Sequence, residues 1–147
     1  MTNLNELVTV GEARERYFRE NGLSEAGYAA RWVRLQAVPL PMYFPNTRSR
    51  VRAVRLHDLH HIATGYGTSW IGEAEIGAWE LAAGCGRHYA AWLLNLSVLP
   101  LGLVLSPRRI WQAWRRGRRA RTLYSSEFHP ALLELTLDEL QARLELL

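Results

Sequence analysis

The sequence predicts a single all-α domain of six or seven helices over residues 1–147. Three observations predict it. Helix-capping residues, among them Thr9, Ser24 and Thr136, stand before segments whose apolar residues recur at helical spacing. Glycine and proline clusters punctuate those segments, and period-two alternation is almost absent. With 48% apolar and 22% charged residues, the chain has the composition of a soluble globular domain. A chain of 147 residues is long enough to bury roughly two-thirds of its unfolded surface.

Thr9-Val10-Gly11-Glu12 has the spacing of a capping box, and Asn21-Gly22 is a suitable stop for the helix it starts. Ser24 can cap a second helix carrying Tyr28, Trp32 and Leu35. Pro39, Pro41 and Pro45 then predict a rigid, irregular connector. A third helix is expected from Asn46 or Thr47 to Thr64. On it Val51, Val54, Asp58 and His61 share a stripe that the two valines turn toward the core. A buried carboxylate needs a hydrogen-bonding partner or a cation, so Asp58 should have one.

Gly65-Tyr66-Gly67 ends that helix, and Thr68 or Ser69 can cap the next, from Trp70 to about Ala83. Glu73, Gly77 and Glu80 share a face there, Gly77 allowing close approach of a neighbour, while Glu75 points elsewhere and should be solvated. Residues 89–107 contain no charge over nineteen positions. Asn95, Ser97, Pro100 and Gly102 argue against a transmembrane span, and Pro100 should kink or end the helix. A buried core helix is the expectation, a membrane-contacting or lipid-lining segment the alternative. The next stretch carries seven Arg and two Trp. It reads either as an interfacial element on anionic lipid or as a solvated basic face with Ile110, Trp111 and Trp114 turned inward. Pro130, the Thr136-x-x-Glu139 box and Leu137, Leu140 and Leu144 mark a closing helix.

The net charge of +4 is unevenly laid out. Residues 48–121 hold twelve Arg against four acids, and residues 122–147 one Arg against five acids. No recognition motif accompanies the arginines, so nucleic acid is not an expected partner. The single cysteine, Cys85, excludes an internal disulfide framework. The first residues lack the basic and apolar regions of a signal peptide, which predicts a cytoplasmic protein.

The chemistry concentrates between residues 51 and 80. His57 and His61 lie at i and i+4, so both imidazoles reach one helix face, and Glu73 arrives from the antiparallel helix. With Asp58 between the histidines, two His and one or two carboxylates suit zinc, iron, manganese or cobalt. The same residues would also serve as a polar helix pair in which the acids simply hold the histidines. Adjacent His-Asp occurs in phosphohydrolases too, which leaves a metal-dependent hydrolase as a further reading.

His57-Asp58-x-x-His61, eleven residues and Glu73 resemble the H-D-x-x-H-x11-E motif of the coenzyme Q (ubiquinone) biosynthesis protein 4 family. WRRGRRARTLY and LLELTLDELQARLEL look like that family's C-terminal pattern, and the resemblance covers roughly residues 11–147. It implies an all-helical fold in which His57, Asp58, His61 and Glu73 bind a divalent metal, zinc foremost; Glu80, on the helix face of Glu73, is the residue expected behind them. It further implies action on prenylated aromatic acid precursors of ubiquinone, with removal of the C1 carboxyl group and oxidation there. Alternatively, the protein binds prenyl lipid or acts as a scaffold around a structural metal. The implied partners are an isoprenoid lipid, a membrane surface met peripherally, other biosynthetic enzymes and a second copy of the chain. Arg55 and Arg87 would steer the substrate carboxylate, and the segment from Trp92 to Leu105 would line the prenyl tail. The chain departs from the family in lacking much of its N-terminal helical region. It also has His60 at a usually aromatic position, for which a solvent-facing role is expected.

Overall fold

Helix α4 (Trp70–Ala83) is the axis of the fold in the computed structural model, which describes residues 8–35 and 42–147. Gly72 and every residue from Ala74 to Leu81 are buried, because α5 (Tyr89–Leu105) packs on one side and α6 (Pro107–Gly117) on another. Small residues let the backbones approach. A Cβ on Gly102 would lie 2.3 Å from the Ala74 Cβ, and one on Gly117 would lie 2.3 Å from the Trp79 carbonyl oxygen. Gly77 does what its position predicted, sitting against Asn95 and Val98 of α5.

The remaining helices close around this centre. α1 (Val10–Asn21) begins in the complete Thr9/Glu12 capping box and ends at Gly22 in the left-handed conformation. α3 (Arg48–Thr64) is capped by Thr47 and stopped by Gly65. α7 (Leu137–Arg143) starts in the second complete box, at Thr136 and Glu139. The two boxes meet: Val10 N–H donates to Leu135 O at 2.8 Å, and Leu137 N–H to Val8 O at 3.0 Å. Short 3₁₀ turns at Leu123–Ser125 and Pro130–Leu133 carry the chain from α6 to α7. Val10, Leu56, Leu59, Trp79, Leu140 and Leu144 are fully buried, so the core joins α1, α3, α4 and α7. The described residues form seven α-helices, as the all-α expectation required.

Two expectations about the N-terminal third fail. The second helix, α2, is only Glu25–Ala29; Trp32–Leu35 is strand β1, paired antiparallel with β2 (Met42–Pro45) in the register Trp32↔Pro45. Aromatic and β-branched residues suit a strand at least as well as a helix. Asn46 decides the matter locally. Its side-chain amide donates to the carbonyls of Tyr28 (3.0 Å) and Ala30 (2.8 Å), terminating α2. Pro45 is tolerated because each strand of a two-stranded ribbon has an edge that needs no donor. Pro39 and Pro41, in the expected connector, lie outside the described residues.

The expectation of a buried apolar helix also fails. α5 buries only Ala91, Asn95 and Gly102, while Leu93 is 71% and Val104 80% exposed. It also runs through Pro100 without ending. Pro100 and Leu96, whose carbonyl loses its i+4 donor, are both exposed, so the lost bond lies on the outer side of the helix. On α6, Ile110 is buried and Trp114 half-buried, but Trp111 faces outward. Among the described residues, no helix is long and apolar enough to cross a membrane.

Candidate metal centre

The last two turns of α3 and the first turn of α4 bring His57, His61 and Glu73 together. Each offers one ligand atom, and these atoms lie within 4.8 Å of one another. The imidazole nitrogens are sorted by their partners. His57 Nδ1 faces Glu80 Oε1 at 2.9 Å, and His61 Nδ1 faces the Tyr66 carbonyl oxygen at 2.8 Å. Both partners only accept, so both Nδ1 atoms must carry the proton and donate. With both rings neutral the Nε2 atoms keep their lone pairs, and they face each other at 3.1 Å.

Two lone pairs at that distance repel unless a proton on one ring or a metal ion lies between them. Glu73 completes the set, its Oε2 3.4 Å from His57 Nε2 and its Oε1 3.4 Å from His61 Nε2. Ligand atoms of a tetrahedral site with bonds of ~2.0–2.1 Å stand ~3.3–3.4 Å apart, so these separations fit a metal's coordination sphere. The electrostatics agree. Burial opposes a charge on His57, but Glu80 and Glu73 outweigh it and raise its pKa well above the ordinary value. Burial likewise opposes ionisation of Glu73, yet its contacts with His57 and His61 hold its pKa down to about 2. The trio attracts positive charge and could hold a metal ion.

Behind it lies a polar network that the sequence suggested only in part. Glu80, placed behind the histidines by its helix face, is fully buried and accepts four hydrogen bonds. They come from His57 Nδ1 (2.9 Å), His60 Nδ1 (2.6 Å), Asn95 Nδ2 (2.6 Å) and the Tyr124 hydroxyl (2.9 Å). Burial opposes its charge, but the histidines hold Glu80 ionised. His60 was expected in solvent and is instead fully buried. Leu123 N–H donates to its Nε2 at 2.9 Å, which fixes His60 as a neutral donor to Glu80. Glu75 is also buried, contrary to expectation, because Arg109 from α6 clamps both its oxygens at 2.8 and 2.7 Å.

Asp58 is buried as the valine stripe required, but it does not join the ligand trio. One residue on from His57, it is turned ~100° around the helix and accepts from the Tyr28 hydroxyl of α2. Its carboxylate, with burial as the larger cause, raises the pKa of both Tyr28 and Tyr17. Tyr17 also stacks on His61, with ring centroids 5.7 Å apart.

A cavity of about 450 Å³ opens beside the trio, large enough for most of a drug-sized ligand. His57, Asp58 and Glu73 line it, with Tyr17, Leu23, Val33, Arg50, Val54, Trp70, Leu94, Asn95 and Val98 among its walls. Three expected contributors are elsewhere. Arg55 pairs with Glu25 at 3.3 Å and lies over the Tyr28 and Phe128 rings. Arg87 is exposed in the turn after α4, and Trp92 turns its indole N–H to Gly86 O at 3.1 Å. Leu94, Ser97 and Val98, on the other side of α5, line the cavity in place of Trp92. The arginine that does line it from α3 is Arg50, which sequence reasoning passed over. Its signal was available: residues 50, 54, 57 and 61 follow one helical stripe.

Neither protein-family models nor curated protein sequences show a match to this chain.

Proposed function

We propose that the protein binds a divalent metal, zinc foremost, at His57, His61 and Glu73, and takes a prenylated aromatic acid into the adjoining cavity. One observation carries this reading. Two imidazole Nε2 atoms, whose Nδ1 atoms both face acceptors, converge with a carboxylate, 3.1–3.4 Å apart, beside an apolar-walled cavity. The H-D-x-x-H-x11-E resemblance supplies the ligand class, and the apolar walls from Val33, Leu94 and Val98 support it. A divalent metal held by these residues would supply Lewis acidity, polarising a phenol or carboxylate oxygen as CO₂ leaves the ring and a proton from water replaces it. The chain's own residues set the stage. Glu80 and the Tyr66 carbonyl orient the two imidazoles, and Tyr17 stacks on the His61 ring. Asp58, held by Tyr28, shapes the cavity wall rather than completing the ligand set.

The test begins with metal content. Zinc at a hundredfold its Kd stabilises a folded protein by ~2.7 kcal/mol, which raises Tm by ~5–10 °C at this chain length. His61→Ala should abolish that rise. Equal, sub-stoichiometric metal in the variant and the wild type refutes the site. Turnover of prenylated 4-hydroxybenzoate then separates an enzyme from a carrier or scaffold, which would retain the lipid and release no product.

The outer face of α5 adds a partner to this reading. Tyr89, Leu93, Leu96, Val104 and Leu105 are exposed, and α6 continues the surface with Trp111 (60% exposed) among Arg108, Arg115, Arg118 and Arg119. Apolar residues bordered by Trp and Arg match the lipid–water boundary of an anionic bilayer. We therefore propose peripheral attachment through α5 and α6. The protein should float with phosphatidylserine-containing vesicles and not with phosphatidylcholine alone, and Leu93→Ser with Val104→Ser should release it. A stable dimer lost in the same variant, without flotation, overturns the proposal in favour of a second copy.

A further inference from the structure

We propose that a cavity between α6 and the turn after α7 is a second binding site, built for a phosphomonoester. It is separate from the metal centre and its cavity, and it requires neither the metal nor the ligand proposed there. The cavity measures about 370 Å³. Gln112, Arg115, Arg116 and Arg119 line it from α6 and the residues just beyond, and Glu145 and Leu146 line it from the C-terminal turn. Leu146 is the one apolar residue of that lining, so the space suits a polar group and not a hydrocarbon tail.

Residues 112, 115, 116 and 119 recur at the spacing of one helix face, which gathers three guanidiniums on one side of α6. Arg116 is positioned in advance: its Nη1 donates to Thr64 O at 3.0 Å, and its guanidinium lies over the Tyr66 ring, 5.4 Å from the centroid. Its remaining N–H donors are left for a ligand. Among the described residues, Arg115 and Arg119 have no ion pair. Glu145, the one carboxylate of the lining, is taken by Arg121, whose Nε donates to Oε1 at 2.5 Å. The C-terminal end of α6 adds only about half a negative charge. The cavity therefore has a large excess of positive charge.

The opposite wall is strained. Glu145 has a φ of 57°, the left-handed conformation that favours glycine just past a helix end. Its N–H donates to Ala142 O at 3.0 Å and that of Leu146 to Gln141 O at 2.9 Å, a complete helix-ending motif without the usual glycine. Strain of this kind clusters at ligand sites, and here it brings Glu145 to Arg121 and Leu146 to the cavity. The donors select the anion. A phosphomonoester carries a charge of about −1.5 to −2 at neutral pH and three terminal oxygens, whereas a carboxylate has one charge and two oxygens. Each guanidinium offers such oxygens a planar fork of donors. The group can come on a small soluble molecule or as the headgroup of phosphatidic acid.

Two measurements on the full chain test this: calorimetric titration with glycerol 3-phosphate, and flotation with vesicles of phosphatidic acid or phosphatidylserine at matched surface charge. Arg115→Gln with Arg119→Gln removes two guanidiniums from the cavity. Arg87→Gln with Arg143→Gln removes the same charge from exposed positions outside it. All four side chains are exposed, so both double variants should melt with the wild type. The first pair should weaken glycerol 3-phosphate binding, or the preference for phosphatidic acid, by ~10-fold or more, and the second by less than about twofold. Glycerol 3-phosphate binding that depends on the first pair assigns the site to a soluble phosphate, and a phosphatidic acid preference alone assigns it to a lipid. Equal losses in the two pairs, or no loss in either, overturn the proposal in favour of a solvated basic face. A wild type that neither binds glycerol 3-phosphate nor prefers phosphatidic acid also overturns it, and leaves membrane attachment through α5 and α6 standing.

Discussion

Replacing Glu80 by Gln tests the physical basis of the site without removing a metal ligand. The carboxylate accepts four hydrogen bonds, two at each oxygen. A glutamine keeps the shape but has only one oxygen. Turned toward Tyr124 and Asn95, that oxygen would leave an NH₂ group facing two imidazole N–H donors. Turned toward the histidines, it keeps both bonds but without the charge. The NH₂ then faces a hydroxyl and an amide that can each rotate to accept. The second arrangement is the cheaper one. Hydrogen bonds to a charged group contribute ~1.5–3 kcal/mol and neutral ones ~0.5–1.5, so weakening the two histidine bonds costs about 2–3 kcal/mol. At ~2–4 °C per kcal/mol for a chain of this size, Tm should fall by ~4–12 °C.

The metal readout is separate. Removing an outer partner of a ligating imidazole typically costs ~10–100-fold in affinity, through lost basicity and orientation. Competition with a chromophoric zinc chelator measures this directly. Glu75→Gln is the control, since Glu75 is also buried but takes its hydrogen bonds from Arg109 and not from a histidine. It should lose stability and keep its zinc affinity. If Glu80→Gln melts within a degree or so of wild type and binds zinc equally well, the argument that Glu80 fixes the His57 tautomer is wrong.

Three other perturbations probe the frame around the site. Burial and the nearby Glu80 charge push the Cys85 thiol up to about 12. Iodoacetamide at about pH 8 should therefore label the unfolded protein only, and labelling of the folded protein would contradict the placement of Cys85. Bonds from the backbone and side chain of Thr136 lower the pKa of Glu139 below its ordinary 4.5. The capping box therefore adds stability above that value and loses it as pH falls through the lowered one. Accordingly, the Tm gap between wild type and Glu139→Gln should shrink on acidification, and a gap that is constant down to about pH 2 would exclude this origin. Gly102→Ala gains up to ~1 kcal/mol of helix propensity but forces α4 and α5 apart, at ~1–3 kcal/mol or more. A Cβ 2.3 Å from that of Ala74 cannot be relieved by a rotamer, so net destabilisation is expected, and a higher Tm would refute the close packing.

Much of the fold was legible because its punctuation is local. Thr9 with Glu12, Thr136 with Glu139, Ser69, and the left-handed glycines 22 and 65 act within one helical turn, and all appear where the sequence put them. The hairpin was not legible, because the decisive contact is Asn46 reaching back to Tyr28 and Ala30 across the loop. The candidate site divides in the same way. Helical spacing brings His57 to His61, and an αα-hairpin brings Glu73 to both. Asp58, by contrast, is claimed by a tyrosine thirty residues earlier, which no local rule reveals.

The two central helices show why composition misled. α5 has no charge and was expected inside, whereas α4 carries three glutamates and is the most enclosed helix of the fold. Apolar content measures what burial would gain, but it does not say which helix has partners on every side. α4 can be buried because its acids are matched: Glu80 by four donors, Glu75 by the fork of Arg109, and Glu73 by two imidazoles. Each match comes from another part of the chain, so the rule that charges face solvent fails where the tertiary structure supplies counter-charges. α5 then lies at the surface with an apolar face that the described residues leave largely uncovered. Its inner side, through Leu94, Asn95 and Val98, forms the cavity wall opposite the histidine helix. One helix thus separates the proposed ligand chamber from the proposed membrane surface. That arrangement requires a helix that is apolar on both faces, and it gives the uncharged composition of α5 a physical reason other than burial in the core.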